Sequence, residues 1–255
     1  MRPKITFIVS TYKRPNLLLR CLVSIKSHFS IDKEVIVIDD SQDGEGAAPA
    51  ASVGATYVRK SVVDRRGLAA NRNIGLSFAK GEFVVFIDDD DFYVGGELED
   101  MIMSADGSDL VCANYFTCVE ESLTPVNIGG FSLDDMLVCN RLPVGSFAVR
   151  RSAISYGFDE EMASHEDWDF LLRNLYHWKV KYFGFFAIVI DKTNNWTSSH
   201  QAVTRNVHWI EYLSVYSRFP CSRLKVERSN QLGKIGINLA PETLDFEPHV
   251  NQRVF

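Results

Sequence analysis

Four consecutive aspartates, Asp88 to Asp91, follow five apolar residues in the stretch EFVVFIDDDDFY. Adjacent like charges repel, and burial raises that cost. A second apolar run, EVIVIDD, ends the same way in Asp39 and Asp40. Hard carboxylate oxygens suit Mg²⁺ or Mn²⁺, and such a cation is usually held by one or two protein carboxylates plus substrate phosphate oxygens. One chemistry open to these positions is therefore a metal platform facing a phosphorylated substrate. The plainer alternative is a solvated acidic turn. A third acidic set lies downstream in HEDWDFLLR, where Glu166 and Asp167 open an amphipathic segment. A carboxylate there suits removal of a proton from a hydroxyl nucleophile. The same residues also suit the acidic first turn of a capped helix. At helical spacing Glu166, Asp169 and Phe170 share one face while Asp167 lies near Leu171, so the pair points to different neighbours.

These residues need elements to position them. KITFIVS reads as a strand covered on both faces, because its apolar run is continuous rather than alternating. RPNLLLRCLVSIKSH follows as a helix, with Pro15 suited to its start and Leu18, Cys21, Leu22 and Ile25 at helical spacing. EVIVIDD, ATYVRK and EFVVFIDDDD read as further strands, and GLAANRNIGLSFAKG as a helix closed by Gly81 as its C′ residue. Alternation of this kind predicts βαβ units and an α/β fold with a mainly parallel sheet flanked by helices. In such a sheet ligands bind beyond the carboxyl ends of the strands, which is where both acidic runs fall. The second half is less regular. It gives strands at SDLVCANYF, GSFAVRR and KVKYFGFFAIVI, a helix at HEDWDFLLRNLYH, a loop with a short helix over 120–142, and a helix over 203–218. The last 35 residues or so carry no clear pattern.

Composition bounds the function. The 255 residues carry 27 Lys and Arg against 33 Asp and Glu, a net charge of −6. That balance argues against nucleic acid as a main partner, since duplex binding needs phosphate-neutralising cations. The five cysteines are odd in number and form no CxxC pair. They read as reduced thiols of a cytoplasmic protein, with zinc disfavoured. The N-terminal apolar run is too short for a signal peptide, and no stretch approaches the ~20 apolar residues of a membrane span. Without a secretory signal, the NWT sequon at Asn195 is discounted.

Taken together, ITFIVSTYKRP, EVIVIDDSQDG, GLAANRNIGLSFAKGEFVVFIDDDD and GFDEEMASHEDWDFLLR resemble, in order and spacing, a family 2 glycosyltransferase of GT-A fold. The resemblance covers residues 3–178. It implies transfer of a sugar from a nucleotide diphosphate donor with inversion at the anomeric carbon. Ser10, Thr11 and Tyr12 resemble the segment along the nucleoside, with Arg14 nearby. Asp39 or Asp40 resembles the acidic contact to base or ribose, Asp39 being favoured for the base. Arg72 and Asn73 resemble the helix behind the nucleotide, although Asn73 equally suits packing. The DXD motif falls on Asp88 and Asp90, with Asp89 as the variable middle position grouped with the donor-binding residues. The resemblance makes Asp90 the direct ligand of a Mn²⁺ or Mg²⁺ cofactor, sets Asp88 against the ribose or a metal-bound water, and puts Asp91 behind them. Asp167, after Glu166, takes the place of the base. Uridine diphosphate is the expected carrier, and a saccharide or lipid-linked molecule of bacterial surface polysaccharide or glycoconjugate synthesis the expected acceptor.

Other signals are weaker. His200 sits where GT-A enzymes place a late metal or diphosphate contact, but a lone histidine is more often a surface residue. His165 reads as a capping or acceptor-side residue. Gly145 and Ser146 suit either close approach to the sugar or an ordinary strand entry. Trp168 and Trp196 suit sugar stacking or a core. Residues 201–230 carry five basic against two acidic residues, a local charge of +3. Trp209, Leu213 and Tyr216 recur there at helical spacing. Such a segment suits the inner face of a membrane, or packing onto the catalytic part, which is the commoner cause of amphipathicity. The expected organisation is a catalytic domain over 1–200 and a mostly helical extension over 201–255 packed upon it. Two further classes use the same aspartates. One is a metal-dependent nucleotidyltransferase or phosphohydrolase, which leaves the Glu-Asp helix unexplained and lacks a GxxxxGK[ST] loop. The other is a non-catalytic nucleotide-sugar binding module. A dinucleotide oxidoreductase is disfavoured, since no GxGxxG follows the first strand.

Overall fold

The run ITFIVST becomes strand β1 (Ile5–Thr11), buried at every position. Its side chains alternate between two cores: Ile5, Phe7 and Val9 enter one, Ile8 the other. Strand β4 (Phe83–Asp88) divides the same way, with Phe83, Val85 and Ile87 opposite Val84 and Phe86. Apolar side chains on both faces explain why these strands show no alternation in the sequence. The structure, a computed structural model, describes residues 4–61, 67–193 and 205–246.

Parallel strands β2 (Lys33–Asp39) and β4 flank β1, and β3 (Thr56–Arg59) lies outside β2. The register pairs Thr11 with Asp39 and Ser10 with Asp88, so both acidic strand ends reach one edge. Beyond β4 the sheet is mixed. Strand β4 pairs antiparallel with β8 (Phe147–Arg150), which pairs antiparallel with β6 (Leu110–Val119). Strand β6 runs parallel to β9 (Val180–Asp191) and forms a hairpin with β7 (Ser122–Val126). The short β5 (Phe92–Tyr93) returns against β9. The predicted parallel pairing thus describes the first four strands, and mixed pairing takes over where the chain stops alternating strand with helix.

Helices cover both faces. On one lie α1 (Pro15–His28), α2 (Ala47–Val53) and α4 (Glu97–Met103), which bury Leu18, Cys21, Ala50, Leu98 and Met101. On the other lie α3 (Leu68–Phe78), α5 (Leu133–Val138) and α6 (Glu166–Leu175). Helices α7 (Arg205–Arg218) and α8 (Lys225–Lys234) join this second core through Val215, Tyr216 and Leu232. Trp168 is fully buried in it, so this tryptophan packs a core instead of stacking on a sugar.

Gly81 does work other than that expected of it, and Gly145 takes the strand-entry alternative. Helix α3 ends at Phe78 with an extended cap at Ala79, so Gly81 is not its C′ residue. Gly81 lies against β1, where a Cβ would stand 2.5 Å from the Thr6 amide nitrogen. Gly145 has φ +85 and a Cβ there would stand 2.2 Å from Ile188 Cδ1, so it makes the turn into β8 and packs on β9.

The basic stretch near the C-terminus is largely consumed by pairing. Arg218 pairs with Asp159 at 2.6 Å and with Asp169 at 3.2 Å, Arg223 pairs with Asp134, and Arg228 is fully buried. Tyr216 is buried and Leu213 packs on the same core. The apolar side of α7 therefore faces protein at these positions. The Arg205 and Trp209 side chains lie outside the described residues. No helix among the described residues is long and apolar enough to cross a membrane.

Candidate active site

The four aspartates leave the end of β4 with different destinations. Asp88 Oδ1 accepts from Arg72 at 2.9 Å, and the same guanidinium donates to Glu166 Oε1 at 2.6 Å. Arg72 thereby ties the strand end to the first turn of α6. Asp89 accepts from the Thr11 hydroxyl at 2.6 Å and pairs with Arg14 at 2.5 Å. The other arm of Arg14 reaches Asp90 at 2.7 Å. Asp91 Oδ1 accepts the Asp191 N–H at 2.9 Å, and Arg20 bridges the Asp191 carboxylate, at 2.8 Å, to the Asp90 carbonyl. Burial, opposed chiefly by Arg14, pushes the Asp89 carboxyl up to about 7. Burial and neighbouring carboxylates raise Asp90 and Asp91 as well. The Arg72 guanidinium is held charged: burial works against it, but Asp88, Glu166 and Asp167 more than offset that.

A cavity of about 340 Å³ opens beside this cluster, bordered by Asp88, Asp91, Arg72, Asn140, Asp167 and Tyr212 among others. Asp167 stands half-buried in its wall. Its Oδ1 accepts the Trp168 N–H at 2.8 Å, and its Oδ2 accepts from Asn140 Nδ2 at 2.8 Å. Burial, then the adjacent Glu166, push its carboxyl up to about 6, against the pull of Arg72 and the Trp168 N–H. A carboxylate near neutrality in pKa, open to a cavity, is equipped to take a proton from a bound hydroxyl. His165 precedes it in the left-handed region, φ 62, and its ring meets the Tyr212 ring at 4.7 Å between centroids. Strain of this kind at a cavity wall often accompanies function.

The model of glycosyl transferase family 2 matches residues 6–135, half of the chain. The uncharacterized glycosyltransferase YwdF of Bacillus subtilis is 31% identical over 194 residues, covering 70% of each chain. The protein belongs to glycosyl transferase family 2. A second relative, the GalNAc(5)-diNAcBac-PP-undecaprenol β-1,3-glucosyltransferase of Campylobacter jejuni, is 34% identical over 107 residues, 40% of this chain and 35% of its own length. Among solved structures, S. aureus TarS 1–349 in complex with UDP-GlcNAc superimposes with a TM-score of 0.67 over 94% of this chain and 69% of that one. At 18% identity that likeness is one of fold.

In this family 2 chain the cavity brings Arg72, Asp88, Glu166 and Asp167 together. The remaining expected residues divide. Thr11 and Arg14 are tied into the aspartate cluster. Ser10 is buried, its hydroxyl without a partner among the described residues, while Tyr12 is exposed. Asp39 is almost wholly buried and accepts from the Ser41 N–H at 2.8 Å, the Gly46 N–H at 3.1 Å and the Tyr57 hydroxyl at 2.8 Å. Asp40 accepts the Gly67 N–H at 3.0 Å and pairs with Lys60 at 3.2 Å. Asn73 bonds the Phe158 N–H and carbonyl at 2.8 and 2.9 Å and Glu160 at 2.8 Å. It clamps the loop before α6, the packing reading of that residue. His200, Trp196 and Asn195 lie outside the described residues. Residues at the site that sequence patterns pass over include Asn140, Tyr212, Arg20 and Asp191. Each is a lone polar or aromatic residue in a helix, a loop or a strand end, without a motif around it.

The donor set fits a divalent cation. It is all oxygen, and Asp88 to Asp91 with Asp191 outweigh the guanidiniums of Arg14, Arg20 and Arg72. Asp89 is already engaged at both oxygens, by Arg14 at Oδ1 and by the Thr11 hydroxyl at Oδ2. Among the described residues no group of three potential ligands converges. Asp88 and Asp91 border the cavity, whereas the Asp90 carboxylate is engaged by Arg14.

Proposed function

We propose that this chain moves a sugar from a nucleotide diphosphate donor, with uridine diphosphate as carrier, to a hydroxyl of a saccharide or lipid-linked acceptor, inverting the anomeric centre. The observation that carries the reading is the placement of Asp167 and Asp88 on one cavity, with Arg72 tying Asp88 to Glu166, the residue before Asp167. Family membership supports sugar transfer. The UDP-GlcNAc bound by TarS supports the uridine carrier, and the name of the C. jejuni relative supports an acceptor carried on a lipid in bacterial glycoconjugate synthesis. The same proposal assigns catalysis to residues 1–200, with 201–255 as a packed extension, and admits work at the inner face of a membrane, where such acceptors lie.

In the reaction, the Asp167 carboxylate accepts the proton of the acceptor hydroxyl. The acceptor oxygen forms its bond to the anomeric carbon from the side opposite the diphosphate. The bond from that carbon to the phosphate oxygen breaks, and its electron pair leaves with the nucleotide diphosphate. Asn140 and the Trp168 N–H hold the base in place while this happens. Arg72 keeps the base turn registered on the strand end that meets the donor. Asp88 with Asp90 or Asp91 would hold Mn²⁺ or Mg²⁺, which would supply positive charge to stabilise the departing diphosphate. Much of the rate comes from holding both substrates in line.

A thermal-shift panel of UDP-, GDP- and dTDP-sugars with and without Mn²⁺ tests this, because a ligand that binds only the native state raises its melting temperature. A UDP-sugar should stabilise the protein, and more so with Mn²⁺. Asp167→Asn should keep that shift while transfer falls by about 10²–10⁴-fold. Surviving transfer removes Asp167 as the base. A panel in which no nucleotide sugar shifts the melt removes the reading itself, and binding without turnover by the natural chain leaves a non-catalytic module.

A further inference from the structure

Helix α5 is six residues long, so its final carbonyls lack partners within the helix. The Cys139 N–H takes the Asp135 carbonyl at 3.0 Å. The next three carbonyls are taken by side chains from three other helices. Trp168 Nε1 donates to Met136 at 2.6 Å, Arg228 Nε to Leu137 at 3.0 Å, and the Tyr216 hydroxyl to Val138 at 2.7 Å. Arg228 is wholly buried, and no ion pair holds it among the described residues. Carbonyls stand in for a carboxylate, including that of Phe219 at 2.7 Å, and the Tyr216 ring lies 4.3 Å from its guanidinium carbon. A cation buried in this way is expensive unless its hydrogen bonds are met.

Two residues beyond this triple anchor comes Asn140. Its Oδ1 accepts the Leu142 N–H at 3.0 Å, which fixes the orientation of the amide. The amide nitrogen is thereby turned to Asp167 Oδ2, at 2.8 Å. Asp167 is thus held at both oxygens, and each retains a lone pair for an acceptor hydroxyl.

We propose that Asn140 is the positioning residue for Asp167, and that α7 and α8 serve the reaction by pinning the end of α5 that carries it. The inference rests on Asp167 being the base. A donor on a carboxylate favours its ionised form, so Asn140 opposes burial and Glu166. The other groups around Asp167 are Glu166 and His165 on its own turn, Arg72 from α3, Asp88 from β4, Tyr212 from α7, and Lys192 after β9.

Carboxyl-labelled protein of all 255 residues, followed by ¹³C NMR, gives the Asp167 titration directly, with no substrate present. In Asn140→Ala the midpoint should rise by about one pH unit. Asn140→Asp keeps the shape but sets a second carboxylate against the base, and should raise it further. Tyr216→Phe, which deletes one buried hydroxyl that does not border the cavity, should raise it by less. With the UDP-sugar that gives the largest thermal shift, hydrolysis into water should slow roughly tenfold or more in Asn140→Ala, because the base is misplaced. The donor-induced thermal shift should stay as in the natural chain. An unmoved Asp167 titration in both Asn140 variants overturns the positioning role, and an unmoved one in Tyr216→Phe overturns the brace. If the titration moves but the natural chain turns over no nucleotide sugar, positioning stands and the transferase reading falls. If turnover is present and the titration is unmoved, positioning alone falls.

Discussion

Asp167 carries opposing influences, and their balance is measurable. Burial and Glu166 raise its carboxyl to about 6, while Arg72 and the Trp168 N–H pull the other way. The base form is the ionised one, so activity should be full above that value and fall as pH drops through it. The kcat/KM profile should show an acidic limb near pH 6, the value burial sets. Glu166→Gln removes the neighbouring negative charge and should move that limb to lower pH, by roughly half a unit to one unit. A limb that stays put would show that Glu166 acts only through Arg72. At this scale the sequence says much about the acidic positions, because a pair of carboxylates at a helix start, or a run of them after a buried strand, is a pattern. It says nothing of Asn140. One amide between a short helix and a strand has no periodicity, and only the folded chain shows that it faces the base. Asp39 teaches the converse: its position at a strand end is readable, yet its oxygens meet a hydroxyl and two backbone amides that no spacing reveals.

Among elements, legibility follows burial. Strands β1, β2 and β4 are buried over all or most of their length, so long apolar runs mark them. Strand β7 is almost wholly exposed and β5 is two residues long, so neither leaves a signal. Helices α2 and α4 are seven residues each, too short for an amphipathic period to repeat twice. Gly81 shows how an element boundary misleads. A glycine after an apolar helix suggests a cap, but the helix stops earlier and the glycine lets the chain cross β1 closely. Gly81→Ala should therefore lose about 1–3 kcal/mol, the usual cost of forcing atoms into a packed site. Urea denaturation checks it: an unchanged midpoint would mean that β1 yields at little cost.

For the molecule as a whole, the two cores differ in where their residues lie along the chain. The core under α1 is built from residues 5–190, while the other draws Val215, Tyr216, Phe219, Leu224, Leu232 and Leu244 from the final segment. The sequence points to that packing through Leu213 and Tyr216 at helical spacing, but not to the partners they meet, which lie far away along the chain. A chain ending at residue 200 would expose Trp168, Leu172 and their neighbours and leave the end of α5 without two of its three side-chain donors. It should be recovered mainly as aggregate, or as a species that melts without cooperativity by circular dichroism. A cooperatively melting truncated chain would show that residues 1–200 stand alone. Trp168 gives the same architecture a practical side. Its indole is sealed from water one residue from Asp167, with the Tyr212 ring 5.0 Å away on the cavity wall. Light absorbed there is re-emitted from a dry pocket, so a guest that shifts Tyr212 alters the colour or intensity of that emission, and occupancy can be followed optically without attaching a dye.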